Sequence, residues 1–272
     1  MKRFKRRSAR MNILHFHVLI RRYFRQIFTN PGVLLPLVLQ APVMLLIFAV
    51  VCRSDAFAVR DVTGANLAIF MLVIMCALMG LLNSYREICK EREILSREVF
   101  GGLDVTAYVF SKFFVLFVIG AAQSLLLYAG ALLLVDFPFA NVGEYALGWL
   151  ALLLTNVSTA AIGLLISALL KKSESAILPV LLVIIMQVVF ADCLISLDGA
   201  AAWLRYVTPA AWGAAVFGRL CGINGWYPEI EWYHRDLYEA NPLLSVLVLA
   251  AFAAVFVWLT AWRLRRAYRQ KD

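Results

Sequence analysis

Charge is scarce in this chain, since Asp, Glu, Lys and Arg make up only 16% of its 272 residues. Soluble domains carry about 25% charged residues, and about 45–50% of their residues are apolar, whereas 63% of this chain is hydrophobic. Stretches of about 20 apolar residues, long enough to cross a bilayer as helices, recur along it. Because these stretches lack the alternation of a membrane β-barrel, the sequence predicts an all-α integral membrane protein.

Six apolar stretches are candidates for transmembrane helices. They cover residues 33–52, 65–82, 113–135, 145–170, 176–194 and 243–264. The sequence therefore predicts two parts. Residues 1–32 form a basic tail with an amphipathic connecting helix, and residues 33–272 form a six-helix membrane domain.

Ionisable residues are missing from the middle of every predicted span. Such residues mark proton relays and ion sites, so their absence argues against a proton- or ion-coupled carrier. The chain also lacks the Gly-x-x-x-x-Gly-Lys-Ser/Thr phosphate loop and the His-Glu-x-x-His zinc motif. We therefore predict no enzyme activity, no cofactor and no metal site in this chain. A partner must then supply the energy for any transport against a gradient.

Lys and Arg are distributed unevenly between the two sides of the predicted membrane domain. Residues 1–30, 83–112, 171–172 and 263–272 hold 21 of the 26, and the alternate loops hold five. This asymmetry predicts a multi-pass protein of the cytoplasmic (inner) membrane with both termini in the cytoplasm. The net charge of +9 then reflects topology and attraction to anionic lipid. We expect no nucleic-acid partner, because the basic residues lie at membrane ends.

Two segments outside the spans have helical patterns. Residues 12–29 place arginines on one face and apolar residues on the other, which predicts a helix on the membrane surface that ends before Pro31. In residues 85–98, eight of the fourteen residues are charged, four of each sign. Pairs at helical spacing, Glu87 with Lys90 and Glu93 with Arg97, predict a short helix here, and Gly101-Gly102 would end it. The first helix is either an interfacial anchor or a mechanical link to a cytoplasmic partner. The second is either a self-paired surface helix or a docking surface.

The predicted outer segment, residues 195–241, contains apolar stretches too short to span, which favour re-entrant or interfacial helices. A disulfide between Cys193 and Cys221 is one alternative in an oxidising compartment, and ordinary unpaired cysteines are the other. A metal site built on His234 and nearby carboxylates is conceivable, but a solvated acidic loop is the default interpretation.

Three stretches resemble, in order, the transmembrane domain of type 2, G-like ABC exporters, including bacterial permeases fused to forkhead-associated and ATPase domains. Phe16–Arg25 is similar to the connecting helix of that family. Arg86–Glu98, followed by Ala107-Tyr108, is similar to its cytoplasmic loop with a coupling helix. Ile162–Ala168 through Pro209–Trp212 is similar to spans four and five with their outer re-entrant segment.

The resemblance implies that two permeases, identical or paralogous, pair around a central pathway and that each rests on an ABC ATPase, which binds ATP and Mg. It implies partner coupling by Arg86, Glu87, Glu91, Arg92, Glu98, Gly101, Gly102, Leu103 and Tyr108. Within this set Arg86–Glu98 would transmit force and Gly101–Tyr108 would dock. It implies a substrate pathway lined by Cys76, Met79, Asn83, Ile185 and Val188. The chain departs from the family at Asp192, where relatives have a small residue.

The expected function is therefore that of the permease subunit of an ATP-driven exporter, with the ATPase on a separate polypeptide and a hydrophobic or amphipathic substrate. A subunit of similar architecture for sensing or lipid handling without net export is the alternative. A channel or carrier that works without an ATPase is a third, weaker interpretation because intramembrane charges are missing.

Overall fold

The structure is a computed structural model that describes residues 12–194, 199–227 and 234–269. Several sequence predictions lie outside these residues. They are the basic tail over residues 1–11, residues 195–198 and 228–233 of the predicted outer segment, and the last three residues of the chain. The described residues are helical and contain no strand, which confirms the all-α prediction.

The described part of the chain forms nine α-helices joined by short 3₁₀ turns. In chain order they are α1 (Ile13–Thr29), α2 (Pro31–Val51), α3 (Val62–Ser84), α4 (Arg92–Phe100), α5 (Val105–Leu134), α6 (Val142–Leu169), α7 (Ile177–Val189), α8 (Pro209–Leu220) and α9 (Pro242–Arg269). The 3₁₀ turns are Cys89–Glu91, Glu174–Ala176, Gly199–Val207, Ile223–Gly225 and Asp236–Glu239.

Five of the helices, α2, α3, α5, α6 and α9, are long and apolar enough to cross a membrane. They coincide with five of the six predicted spans. The remaining predicted span, 176–194, contains α7, an apolar helix that covers only Glu174–Val189 even with its preceding 3₁₀ turn. At about 1.5 Å of rise per residue, this stretch falls short of a hydrocarbon core about 30 Å thick. The sixth crossing therefore stays a prediction.

The centre of the fold is α6, which packs against α3 and α9 and also contacts α5 and α8. Its backbone lies very close to that of α3, since a Cβ at Gly80 would be 2.1 Å from the carbonyl oxygen of Asn156. The Asn156 side chain donates a hydrogen bond from Nδ2 to the carbonyl oxygen of Cys76, at 3.0 Å. Small residues that allow such close approach are typical of helix contacts in membrane proteins.

The two ends of this helical core are distinct, and we name them by their chemistry. The charged end comprises residues 85–112 with α1 and the last turn of α6. The distal end lies at the start of α3, where the Tyr238 hydroxyl donates to Oδ1 of Asn66 at 2.9 Å. The helix α8 is buried at this end between α3, α6 and α9. At twelve residues α8 is too short to span a bilayer, as expected for the predicted outer segment. Its re-entrant or interfacial position in the membrane stays a prediction.

The predicted amphipathic helix corresponds to α1, which begins with Asn12 as its side-chain cap. It packs along α5 and buries Leu19 and Tyr23 there. Its apolar face is therefore partly covered by the protein itself. Asn30 ends α1 and caps α2, because its side chain accepts from the backbone N–H of Gly32 at 3.0 Å.

Candidate coupling site at the charged end

The charged segment, which we define as residues 85–104, forms a compact turn and helix between α3 and α5. After Ser84 the chain turns, passes through the 3₁₀ turn Cys89–Glu91 and forms α4. Two bonds end α4, from Leu103 N–H to the Glu98 carbonyl (2.9 Å) and from Gly102 N–H to the Val99 carbonyl (3.1 Å). Gly102 has φ of +105°, a left-handed conformation that favours glycine. The predicted stop at Gly101-Gly102 is confirmed.

A buried lysine organises this end of the molecule. Lys112, in the second turn of α5, places Nζ 2.9 Å from Oε2 of Glu87 and 2.9 Å from Oε2 of Glu91. The same ammonium lies 3.9 Å from the centre of the Tyr23 ring of α1, a cation–π geometry. The Tyr108 hydroxyl adds a 3.3 Å hydrogen bond to Oε2 of Glu91. We call Lys112, Glu87, Glu91, Tyr108 and Tyr23 the Lys112 cluster.

The charges within the cluster compensate the cost of burial. Burial alone would raise the pKa of Glu87, but the charges of Lys112 and Lys90 outweigh it and hold that pKa below its ordinary value. Lys90 forms the ion pair with Glu87 that the spacing predicts. The Lys112 side chain is only 4% exposed. Loss of either Glu87 or Glu91 would therefore leave the buried Lys112 ammonium poorly compensated.

Arg92 and Ser167 join this segment to the end of α6. Arg92 donates from its guanidinium to the carbonyl oxygens of Ala168 (3.3 Å) and Leu170 (2.5 Å). These carbonyls lie at the C-terminus of α6, where they have no intrahelical partner and where positive charge is favourable. Ser167 Oγ accepts from the backbone N–H groups of Ile88 (2.9 Å) and Cys89 (3.0 Å). The charged segment therefore moves with α6.

The helix α1 is joined to the same segment at two points. Arg22 donates both terminal nitrogens of its guanidinium to the Glu98 carboxylate. At the start of α1, the backbone N–H of Asn12 donates to Oδ2 of Asp104 at 2.9 Å, and His15 Nδ1 accepts from the backbone N–H of Asp104. Through these contacts α1, the charged segment, α5 and α6 form one mechanically continuous unit.

Comparison with known proteins assigns a family to this architecture. Residues 54–262 match the family described as ABC-2 family transporter protein. The chain belongs to the ABC-2 transporter family. A protein of Mycobacterium tuberculosis named as an ABC transporter ATP-binding/permease protein is 28% identical over 210 residues. That alignment covers 72% of this chain and 24% of the relative, so the chain spans about a quarter of the relative's length.

These findings confirm the resemblance to type 2 ABC permeases. The chain is a membrane permease of the ABC-2 transporter family.

The predicted coupling residues of the permease occupy three environments. Arg86, Gly101 and Gly102 are exposed, and Glu87, Arg92, Glu98 and Leu103 are half-buried. Glu91 and Tyr108 are buried. A separate coupling helix over Gly101–Tyr108 is not present, because α5 begins at Val105 and includes Tyr108 in its first turn. Tyr108 therefore supports Glu91 from inside, and in this conformation it offers no surface to a partner.

Two exposed apolar side chains of the permease were missed by the sequence prediction. Phe100, the last residue of α4, is 86% exposed, and Ile94 is 54% exposed. Both lie on α4, whose other exposed residues, Glu93 and Arg97, are charged. Apolar residues within the charged segment were the signal in the sequence that could have identified them.

The predicted pathway residues of the permease do not share one surface. Cys76 and Met79 are completely buried in the core of the described chain, so they present no surface in this conformation, and their place in a substrate pathway stays a prediction. Ile185 and Val188 on α7 are exposed, as a lining role requires. The exposed or half-buried positions of α3 include Leu67, Met71, Leu78 and Leu82, which share a different face.

Asn83, the remaining predicted pathway residue, belongs to a chain of amides. Its Nδ2 donates to Oε1 of Gln123 at 2.8 Å. Gln123 in turn donates to the Leu37 carbonyl (2.9 Å) and to Oε1 of Gln40 (3.1 Å). Asn83 also lines a cleft of about 60 Å³ between α1, α2, α3 and α5, together with Glu87, Lys112 and Tyr23 of the Lys112 cluster. The amide chain ties α2 to α3 and α5.

The cysteines and acidic residues were also candidates for covalent or metal chemistry. All five cysteines of the permease are free thiols in the structure, so a Cys193–Cys221 disulfide in an oxidising compartment stays a prediction. His234 pairs with Glu239 at 3.2 Å. Within the described ranges, no group of three or more His, Cys, Asp or Glu side chains is arranged to hold a metal ion.

Proposed function

We propose that this ABC-2 permease couples ATP hydrolysis by an ABC ATPase to export of a hydrophobic or amphipathic substrate. The Lys112 cluster is the observation that carries the proposal. Its buried ion pairs join the charged segment to α5 and α1, while Arg92 and Ser167 join that segment to α6. A force applied to α4 is therefore passed to several membrane helices together.

The proposed contact with the ATPase is made by α4 and the turn after it. Phe100 and Ile94 are apolar side chains that water would otherwise surround, with Glu93, Arg97 and Gly101 exposed beside them. Interfaces commonly have an aromatic anchor at the centre with charged residues around it. We therefore assign docking to Phe100 and its neighbours, and transmission to the Lys112 cluster and Arg22–Glu98. This places the charged end, and with it both termini, in the cytoplasm of an inner-membrane protein.

The sixth crossing is assigned to α7 and the residues that follow it. Just before α7, Ser173 contacts the Cys89 sulfur at the charged end. Just after α7, Asp192 pairs with Arg205 at the distal end. The segment thus runs between the two ends, as α3 does. In this assignment residues 33–272 form a six-span domain and residues 1–32 lie on its cytoplasmic side.

The substrate preference follows from the exposed apolar faces. Ile185 and Val188 on α7, with Leu78 and Leu82 on α3, present hydrocarbon without fixed charge. A second permease copy or a paralogue would enclose these faces to form the pathway. Such walls suit lipids and amphipathic compounds, because burial of a charged group there would be costly.

Co-purification with an ABC ATPase tests the docking part of the proposal. The tagged permease is expressed with candidate ABC ATPases from the same genome, and the bound ATPase is quantified. Phe100→Ser is expected to reduce binding by about 30-fold, the effect of losing an aromatic anchor worth about 2 kcal/mol. The matched control is Leu133→Ser, because Leu133 is 88% exposed near the end of α5 remote from the charged segment. Unchanged binding by Phe100→Ser, or equal loss by both variants, would refute this docking surface.

A further inference from the structure

A second buried cation lies at the distal end. Arg205, in the 3₁₀ turn Gly199–Val207, donates from one terminal nitrogen to Oδ2 of Asp192 at 3.2 Å. Its other terminal nitrogen donates to Oδ2 of Asp236. The arginine is buried, and its guanidinium also lies 5.3 Å from the centre of the Tyr206 ring. We call Asp192, Arg205 and Asp236 the distal triad.

The two carboxylates of the triad have different environments and different attachments. The Asp192 side chain is 3% exposed and follows the C-terminal end of α7, where its backbone has φ of +57°. A non-glycine residue in that conformation is strained, so surrounding contacts must hold it there. The Asp236 side chain is 66% exposed. It lies in the turn that Tyr238 ties to Asn66 of α3.

This asymmetry makes one of the two ion pairs separable. If the end of α7 moves away, Asp192 moves with it and becomes hydrated. Arg205 then keeps Asp236, so the guanidinium is not left as an uncompensated buried charge, the state that is most costly. Along α7 itself, Gln187 Oε1 accepts from the backbone N–H of Ala210 at 3.0 Å, which attaches α7 to α8 one turn before the triad.

We propose that Arg205 is a positioning residue that holds the distal end of α7 against the protein through Asp192 and retains Asp236 when that end opens. The role of this movement as opening of the export pathway rests on the proposed function, whereas the positioning itself does not.

Cys193 provides a native reporter for the movement, because it adjoins Asp192 and is buried. Chains that keep only Cys193, with the other cysteines replaced by alanine, are placed in lipid nanodiscs and labelled with a water-soluble maleimide. Asp192→Asn and Arg205→Gln are expected to accelerate labelling about tenfold, as local opening becomes easier. Asp236→Asn is expected to change the rate by less than about threefold, because the buried pair persists.

Two controls separate positioning from a general loss of structure. Chains that keep only Cys221, which is buried at the end of α8, are expected to label at an unchanged rate in every variant. Arg205→Lys retains the charge and is expected to keep Cys193 slower to label than Arg205→Gln does. Unchanged labelling of Cys193 in Asp192→Asn and Arg205→Gln would overturn the proposal. Equal acceleration of Cys193 and Cys221, or no difference between Arg205→Lys and Arg205→Gln, would also overturn it.

The assay distinguishes this inference from the proposed function. The assay needs neither an ATPase nor a substrate, so it measures only the effect of Arg205 on the position of the end of α7. If Cys193 responds as expected while no ATPase binds the permease, the positioning role stands and the exporter proposal fails. If the ATPase binds through Phe100 while Cys193 does not respond, the exporter proposal stands and the positioning role fails.

Discussion

The Lys112 cluster and the distal triad both place a buried cation between two carboxylates, but they are assembled differently. Glu87 and Glu91 come from one short segment and contact Lys112 at equal distances of 2.9 Å. Asp192 and Asp236 come from elements that are far apart in sequence, and only one of them is buried.

The difference predicts different mechanical behaviour. The two carboxylates that pair with Lys112 belong to a single segment and move together. The cluster therefore forms or breaks as a whole, which suits the transmission of force. The distal triad lets Asp192 leave while Asp236 stays, which suits reversible opening.

Lys112→Met is expected to have the largest effect, since it leaves Glu87 and Glu91 without their shared cation. Removal of one partner from a buried ion pair costs about 3–5 kcal/mol. Thermal unfolding in detergent, followed by the reactivity of the buried cysteines, would show a large loss. The control is Lys90→Met, whose exposed pair with Glu87 contributes about 0–1 kcal/mol. Equal losses would show that the Lys112 cluster is no more important than a surface ion pair.

Gly80→Val breaks the connection between the ends. The new side chain would collide with the Asn156 carbonyl of α6, so α3 and α6 must separate. Overpacking of this kind costs about 1–3 kcal/mol. We expect the unfolding temperature to fall and Cys193 to label faster, because α3 positions both ends. Gly143→Ala is the control, since a Cβ there meets nothing within 4 Å. A tolerated Gly80→Val would contradict the close α3–α6 contact.

Arg92→Met tests the attachment of the charged segment to α6. Loss of the guanidinium leaves the Ala168 and Leu170 carbonyls without this partner, at a cost of about 1–2 kcal/mol. Exposed Lys172, just beyond the same helix end, supplies the control Lys172→Met, for which we expect no measurable change. The readout is again thermal unfolding. A larger loss for Lys172→Met would show that general positive charge at the end of α6 matters more than the two hydrogen bonds.

The pH dependence of stability gives the smallest effect. Lys112 and Lys90 lower the pKa of Glu87 in the folded protein. The contribution of ionised Glu87 to folding stability is therefore complete above its pKa in the unfolded chain, about 4.3. This stabilisation is lost as the pH falls through the lower pKa that Glu87 has in the folded protein. The difference in unfolding free energy between wild type and Glu87→Gln should therefore narrow below about pH 4. A difference that widens as the pH falls would contradict the lowered pKa.

Local features of the charged end could be predicted from the sequence, and the tertiary ones could not. The Glu87–Lys90 pair and the stop at Gly102 depend on neighbours in sequence, and both are confirmed. Glu93 and Arg97 have suitable spacing, yet they form no ion pair within the described part of the chain. Glu98 is paired instead with Arg22, 76 positions away, a partner that periodicity cannot identify.

The buried face of α3 could not be read because the helix is apolar on every side. With no polar stripe to mark an exposed side, the sequence pattern could not show that Cys76 is buried while Leu78 is partly exposed. Five long spans were predictable from hydropathy alone. The distal triad was not, because its members are brought together only by the turns between α7 and α9.

The central claim is that a push on α4 at the charged end reaches the distal end. The most direct measurement is the rate of Cys193 labelling in a reconstituted complex of the permease with its ATPase, with and without ATP. We predict that ATP accelerates labelling in the wild type and has no effect in Phe100→Ser. A complex that hydrolyses ATP without any change in Cys193 labelling would contradict the claim.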